Sequence, residues 1–251
     1  MQQPRSPNNE RPCSRGAATW PWLTDIFRIK ICGVTRLSDA RFAILRDADA
    51  IGLNFYPKSK RRISLAQAAR IVRECGGLAH MVGVFVDADP SEILQIAERL
   101  PLSAVQLHGH EPPEVLAQLR GLRVIRAMRA TAAQWDEVMR YLDRCEQLDA
   151  MPWAVLLDAA VPKELGGTGQ PADWDLAGAF AETPGLPPLV LAGGLNPKNV
   201  AKAIQIVRPA GVDVASGVEY KPGRKCEFKM QHFLEAAIDA FKQIGVWQPE
   251  V

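Results

Sequence analysis

Two residues in this sequence stand where proton transfer could be carried out. Cys32 closes the apolar run FRIKIC at 27–32, and Asp158 closes the run AVLLD at 154–158. A carboxylate ending an apolar run is costly to bury without a partner or a task. Its structural alternative is a salt bridge, with Lys30 as a candidate partner. A lone cysteine is by default a small buried hydrophobe. What sets Cys32 apart is its place at the rim expected to carry chemistry, with Lys30 two residues earlier on the same strand face, a nearby cation that would lower the thiol pKa.

A second set of residues suits anions. AGGLN at 192–196 and ASGVE at 215–219 are glycine-rich turns, each leading toward a helix. Small residues there let backbone N–H groups approach a ligand, and helix N-termini favour negative charge. Gly193, Gly194, Ser216 and Gly217 are therefore candidate phosphate-binding positions. GGTG at 166–169 is expected to be a loop that closes over a substrate or adds N–H donors. Arg61 lies in KSKRRIS beside Lys58, Lys60 and Arg62, and its planar fork matches a carboxylate. His108 in VQLHGHE reads equally as a structural or a catalytic imidazole, and Asp213 as a ribose-hydroxyl partner or a pairing group within the core. Only four histidines are present, without HxH or HExxH spacing, so no catalytic metal is expected.

These residues need a scaffold that gathers them. Eight short apolar, β-branched runs recur, at 27–32, 50–55, 81–86, 104–108, 124–128, 154–159, 189–194 and 211–216. Between them lie segments of helical period. In DPSEILQIAERL (89–100), Ile93, Leu94, Ile96, Ala97 and Leu100 fall on one face and Pro90 sits in the first turn. Strands apolar at nearly every position imply a parallel sheet covered by helices. Eight such units predict an α/β fold, a single-domain (β/α)8 TIM barrel over residues 26–245. An open doubly wound sheet would carry GxGxxG after its first strand, where this chain has KICGVT. Barrel sites lie at the C-terminal strand ends. Those ends present Lys30 with Cys32, then Asn54, Asp87, His108, Arg126 with Arg129, Asp158, Gly193 with Gly194, and Asp213 with Ser216 and Gly217.

Composition narrows the class. The chain has 251 residues, 47% hydrophobic and 23% charged, enough to bury one full core. A formal net charge of +2 without a basic run argues against nucleic acid as a partner. Five scattered cysteines without a CxxC pair argue against disulfides or zinc and fit a reducing, cytoplasmic setting. Residues 1–25 are polar and lack a signal-peptide core, so they are expected to form a disordered tail, with 246–251 a short C-terminal one. No apolar run approaches a membrane span.

Several blocks resemble one family in its own order: KICGVT, DAIGLNFYPKSKR, VGVFVD, VQLHGHE, LLDA with GGTG and Trp174, LAGGLNPKNV, and VDVASGVEYKPGRK. They cover about residues 28–243 and are similar to the motifs of phosphoribosylanthranilate isomerases, enzymes of tryptophan biosynthesis. The resemblance implies Cys32 as general base, Asp158 as general acid, and Arg61 on the anthranilate carboxylate. It further implies the backbone around Gly193, Gly194, Ser216 and Gly217 on the phosphate, with Lys30, His108 and Asp213 in support. The implied reaction is an Amadori rearrangement of a small phosphorylated substrate without a cofactor. Three departures stand out. The family's glycine in GADA, before the second strand, gives way here to Arg46-Asp47-Ala48-Asp49; its acidic residue after the last-loop lysine is here Cys226; and the N-terminal tail has no family counterpart. The rival readings are a histidine-pathway phosphoribosyl isomerase, which typically uses two aspartates, action on both substrates, and a non-catalytic phosphate-binding barrel. Monomer and homodimer are both open.

Overall fold

A computed structural model describes residues 26–129, 132–158 and 174–245. The two predicted tails, Cys13 and GGTG lie outside the described residues. Eight strands alternate with eight helices: β1 (Ile29–Ile31), α1 (Leu37–Ile44), β2 (Ala50–Asn54), α2 (Leu65–Cys75), β3 (His80–Phe85), α3 (Pro90–Arg99), β4 (Ala104–Leu107) and α4 (Pro113–Gln118) form the first half. The second half comprises β5 (Val124–Arg129), α5 (Trp135–Gln147), β6 (Ala154–Asp158), α6 (Trp174–Glu182), β7 (Leu189–Ala192), α7 (Val200–Val207), β8 (Gly211–Val214) and, after a short hairpin, α8 (Glu227–Gln243). The strands pair in parallel and in order, and β1 closes on β8 with Lys30 opposite Asp213. This is the predicted (β/α)8 barrel.

The helices form for local reasons. A capping box, Ser64 with Gln67, starts α2, and Asp89 caps α3 with Pro90 at its first position. Ile93, Ile96 and Ala97 of α3 are buried as their spacing predicts; Leu94 turns outward and is 39% exposed. The strands end within one or two residues of their apolar runs.

Period two decides what enters the barrel. Lys30 and Cys32 share one side of the first strand, and the register places Asp213 beside Lys30, with Ala192 beside Asp158. At the N-terminal end the interior is closed by apolar side chains, including Phe27 edge-on to Trp153 with ring centres 6.2 Å apart. Polar side chains are left for the opposite end. Past β8 the sequence pattern led straight to a helix, but the chain first makes a short 3-10 turn (Ser216–Val218) and a hairpin of β9 (Glu219–Lys221) and β10 (Arg224–Lys225). Among the described residues no helix is long and apolar enough to cross a membrane.

Candidate active site

A cavity of about 250 Å³ opens at the C-terminal end of the barrel, and Cys32, Asn54, Arg61, His108, Asp158 and Asp213 all line it. Gly193, Gly194, Leu195 and Ser216 form another part of its wall. A neighbouring cavity of about 260 Å³ on the β4–β6 side shares His108 and Asp158.

Cys32 is 8% exposed and is flanked by two buried ammonium groups. Lys30 Nζ donates to Asp213 Oδ1 at 2.8 Å and to Gln106 Oε1 at 2.9 Å. Lys225 Nζ donates to the Cys32 carbonyl at 2.5 Å, the Ala215 carbonyl at 2.9 Å and Glu219 Oε1 at 3.0 Å. The expected cation is therefore present, but the expected net effect on the thiol is not. Burial, reinforced by the charge of Asp213, pushes Cys32 above the ordinary thiol value, and the pull of Lys30 and Lys225 only moderates the rise. The salt bridge considered between Lys30 and Asp158 is absent, because Asp213 takes the lysine. Asp158 is half-buried at the end of β6, with no hydrogen bond or ion pair among the described residues, and so its carboxyl is left to the cavity.

Arg61 is aimed by a partner that local sequence does not announce. Its Nε donates to Glu219 Oε1 and Oε2 at 2.9 and 3.1 Å, and its Nη2 to Oε2 at 2.7 Å. Nη1 has no partner among the described residues, and a quarter of the side chain is open to solvent, which leaves one donor edge for a ligand anion. Burial alone would raise the Glu219 pKa, but Arg61 and Lys225 outweigh it and hold the carboxyl below its ordinary value. The loop itself is pinned by an isolated bridge between Asn54 and Arg62 and by Ser59 Oγ accepting from Arg61 N–H at 3.1 Å.

The last two strands supply a backbone cradle. Gly193 and Gly194 both have positive φ, 90° and 62°, a pairing that side chains resist. The N–H groups of Gly193, Gly194, Ser216 and Gly217 make no backbone hydrogen bonds among the described residues, and two of them begin the 3-10 turn, where helical donors are free by construction. Gly217 differs from the other three in that it does not line the cavity. A Cβ there would lie 1.9 Å from the Leu195 carbonyl oxygen, so its bareness is what lets the β8 loop close against the β7 loop. His108 is exposed to both cavities, and its Nδ1 lies 2.9 Å from Gln106 Nε2.

Comparison with known proteins fits this arrangement. The profile of the family described as N-(5'phosphoribosyl)anthranilate (PRA) isomerase matches residues 29–236. The chain belongs to this isomerase family. A phosphoribosylanthranilate isomerase relative from Myxococcus xanthus is 45% identical over 221 residues, 88% of this chain and 99% of the relative. The crystal structure of the family member from Thermotoga maritima superposes with a TM-score of 0.73 at 42% identity, covering 84% of this chain and 98% of that one. Another solved phosphoribosylanthranilate isomerase, in complex with reduced 1-(o-carboxyphenylamino)-1-deoxyribulose 5-phosphate, superposes at 0.71 with 40% identity, covering 84% of this chain and 98% of that one.

The candidate residues read from the sequence are brought together at one end of the barrel: Cys32, Arg61, His108, Asp158, Gly193, Gly194, Asp213 and Ser216 line the cavity, Lys30 lies behind Cys32, and Gly217 lies behind the cradle. Sequence reasoning missed Gln106, Glu219 and Lys225. The last two sit in the quoted block VDVASGVEYKPGRK, but Glu219 and Arg61 are 158 residues apart, and no spacing rule joins them.

Proposed function

We infer that this chain converts N-(5-phospho-β-D-ribosyl)anthranilate to 1-(2-carboxyphenylamino)-1-deoxy-D-ribulose 5-phosphate, with Asp158 as general acid and Cys32 as general base. The observation that carries this reading is that a thiol just past β1 and, at the end of β6, a carboxyl without a partner among the described residues share one cavity with an arginine and an N–H cradle suited to the two anionic ends of such a substrate. Phosphate would rest on the backbone at Gly193, Gly194 and Ser216, and the anthranilate carboxylate on the free edge of Arg61.

Asp158 delivers a proton to the furanose ring oxygen; the C1′–O bond breaks and the anthranilate nitrogen becomes an iminium. Cys32, as thiolate, removes the C2′ proton, and the electron pair forms an enolamine while neutralising that iminium. Loss of the enol proton and protonation at C1′ give the ketone. A cation adjacent to a thiol favours its thiolate form, so the iminium made in the first step eases ionisation of Cys32 in the second. Lys30 and Lys225 act in the same direction. We place this chemistry in the cytoplasm, a setting with which four free described cysteines agree.

Freshly made phosphoribosylanthranilate should lose its fluorescence on adding the purified chain, with the product mass unchanged, in EDTA as in buffer. Conversion of the aminoimidazole-bearing substrate of the histidine pathway in its place would move the protein to the rival enzyme reading. Inertness toward both would leave the phosphate-binding barrel.

A further inference from the structure

A polar chain crosses the interior of the barrel from the ion pair at β1 and β8 to the imidazole after β4. Lys30 Nζ can only donate, so the Gln106 oxygen must accept its hydrogen bond at 2.9 Å. That fixes the amide orientation: the other end, Nε2, is the one 2.9 Å from His108 Nδ1. An amide NH2 can only donate, so Nδ1 is a bare acceptor and the ring proton sits on Nε2. Gln106 is 1% exposed and Lys30 is fully buried, which leaves water no access to offer either an alternative. Nε2 has no protein partner among the described residues, and the ring opens on the two cavities it shares with Asp158.

Burial keeps the His108 pKa below the ordinary imidazole value. The charges facing the ring come from both signs, Asp213 and Asp158 raising it and Lys30 and Arg126 lowering it. A doubly protonated ring, which Gln106 Nε2 could not serve, is thus disfavoured from two directions.

We propose that Gln106 is a positioning residue that fixes the His108 tautomer, so that His108 presents an Nε2–H donor to a sugar oxygen held between Asp158 and Cys32. The catalytic part of this statement rests on the function proposed above; the tautomer does not. Gln106 thereby links the lysine behind the base to the imidazole beside the acid, and its two faces cannot be exchanged for a carboxylate's. In Gln106→Glu one oxygen still accepts from Lys30, but the other can only accept from the ring, which must then carry its proton on Nδ1.

The test uses the full chain with 15N-labelled histidine, in two-bond 1H–15N correlation spectra near neutral pH, with His108 assigned from a His108→Ala variant. In the parent, Nε2 of His108 should be protonated and Nδ1 bare; in Gln106→Glu, Nδ1 should be protonated. Turnover of phosphoribosylanthranilate in Gln106→Glu should fall on the order of 10-fold to 100-fold, the scale set by metal-bound imidazoles that lose the partner orienting them, chiefly in kcat. In a His108→Ala background the same substitution should cause no comparable loss. A bare Nε2 in the parent overturns the proposal, and that spectrum is decisive even if Gln106→Glu does not fold. An equal loss in the His108→Ala background also overturns it, by showing that Gln106 acts through Lys30 alone. If the parent shows Nε2–H but does not turn over phosphoribosylanthranilate, the tautomer assignment stands, and the function proposed above and the catalytic role with it fall.

Discussion

Cys32 sits under opposing electrostatic demands: burial and Asp213 favour the thiol, while Lys30 and Lys225 favour the thiolate. The first pair wins, so ionisation of the free enzyme should be incomplete at the ordinary thiol value of 9.0. Alkylation of Cys32 by iodoacetamide, followed by mass spectrometry, should therefore keep accelerating as pH rises past about 9; a rate that levels off below about pH 8 would show that the two lysines dominate. Sequence made Cys32, Asp158 and Arg61 visible because each lies at or just beyond the end of an apolar run, where a barrel puts chemistry. It did not make the balance of charges visible. Lys30 and Cys32 are two residues apart, but of the groups that settle the thiol's state Asp213 lies 183 residues from Lys30 and Lys225 lies 193 residues from Cys32 in the chain.

The departures from the family pattern act on whole elements. In the turn before β2, where the family commonly has a glycine, Asp47 takes φ 66°, a left-handed conformation that aspartate tolerates better than most side chains. Cys226 is the N-cap of α8 and offers no side-chain cap, where an acidic residue would accept a backbone N–H and face the positive helix end. Cys226→Asp should raise unfolding stability by about 1 kcal/mol, seen as a higher urea midpoint at unchanged slope; no rise would mean that the start of α8 is held by other contacts. Gly217→Ala belongs to this scale too. Its new Cβ must push the β8 loop off the Leu195 carbonyl, so KM should rise at least about tenfold, as for loss of a charge-assisted hydrogen bond. An unchanged KM would mean that the two loops do not jointly hold the phosphate. The eight barrel strands and the helices between them were legible from apolar period and caps. The β9–β10 hairpin was not: Glu219–Lys221 and Arg224–Lys225 are short and mostly polar, and only the Pro222-Gly223 turn marks them.

At the scale of the whole molecule, the barrel separates stability from chemistry. One end is sealed by Phe27 and Trp153, and the other collects the residues that strand parity turns inward near the rim. Counting eight strand–helix units anticipated the closed sheet, yet closure itself depends on β1 meeting β8, a pairing between chain ends that no local pattern records. That pairing places Asp213 against Lys30 and completes the environment of Cys32. The central claim is that Cys32 and Asp158 divide one proton-transfer reaction between them. It is tested most directly by single-variant turnover, comparing the fluorescence decay of phosphoribosylanthranilate for the parent, Cys32→Ser and Asp158→Asn. Each substitution should lower kcat by at least about 10²-fold, the effect of losing a general acid or base, with the fold intact by circular dichroism; a variant that retains parental turnover would remove that residue from the chemistry.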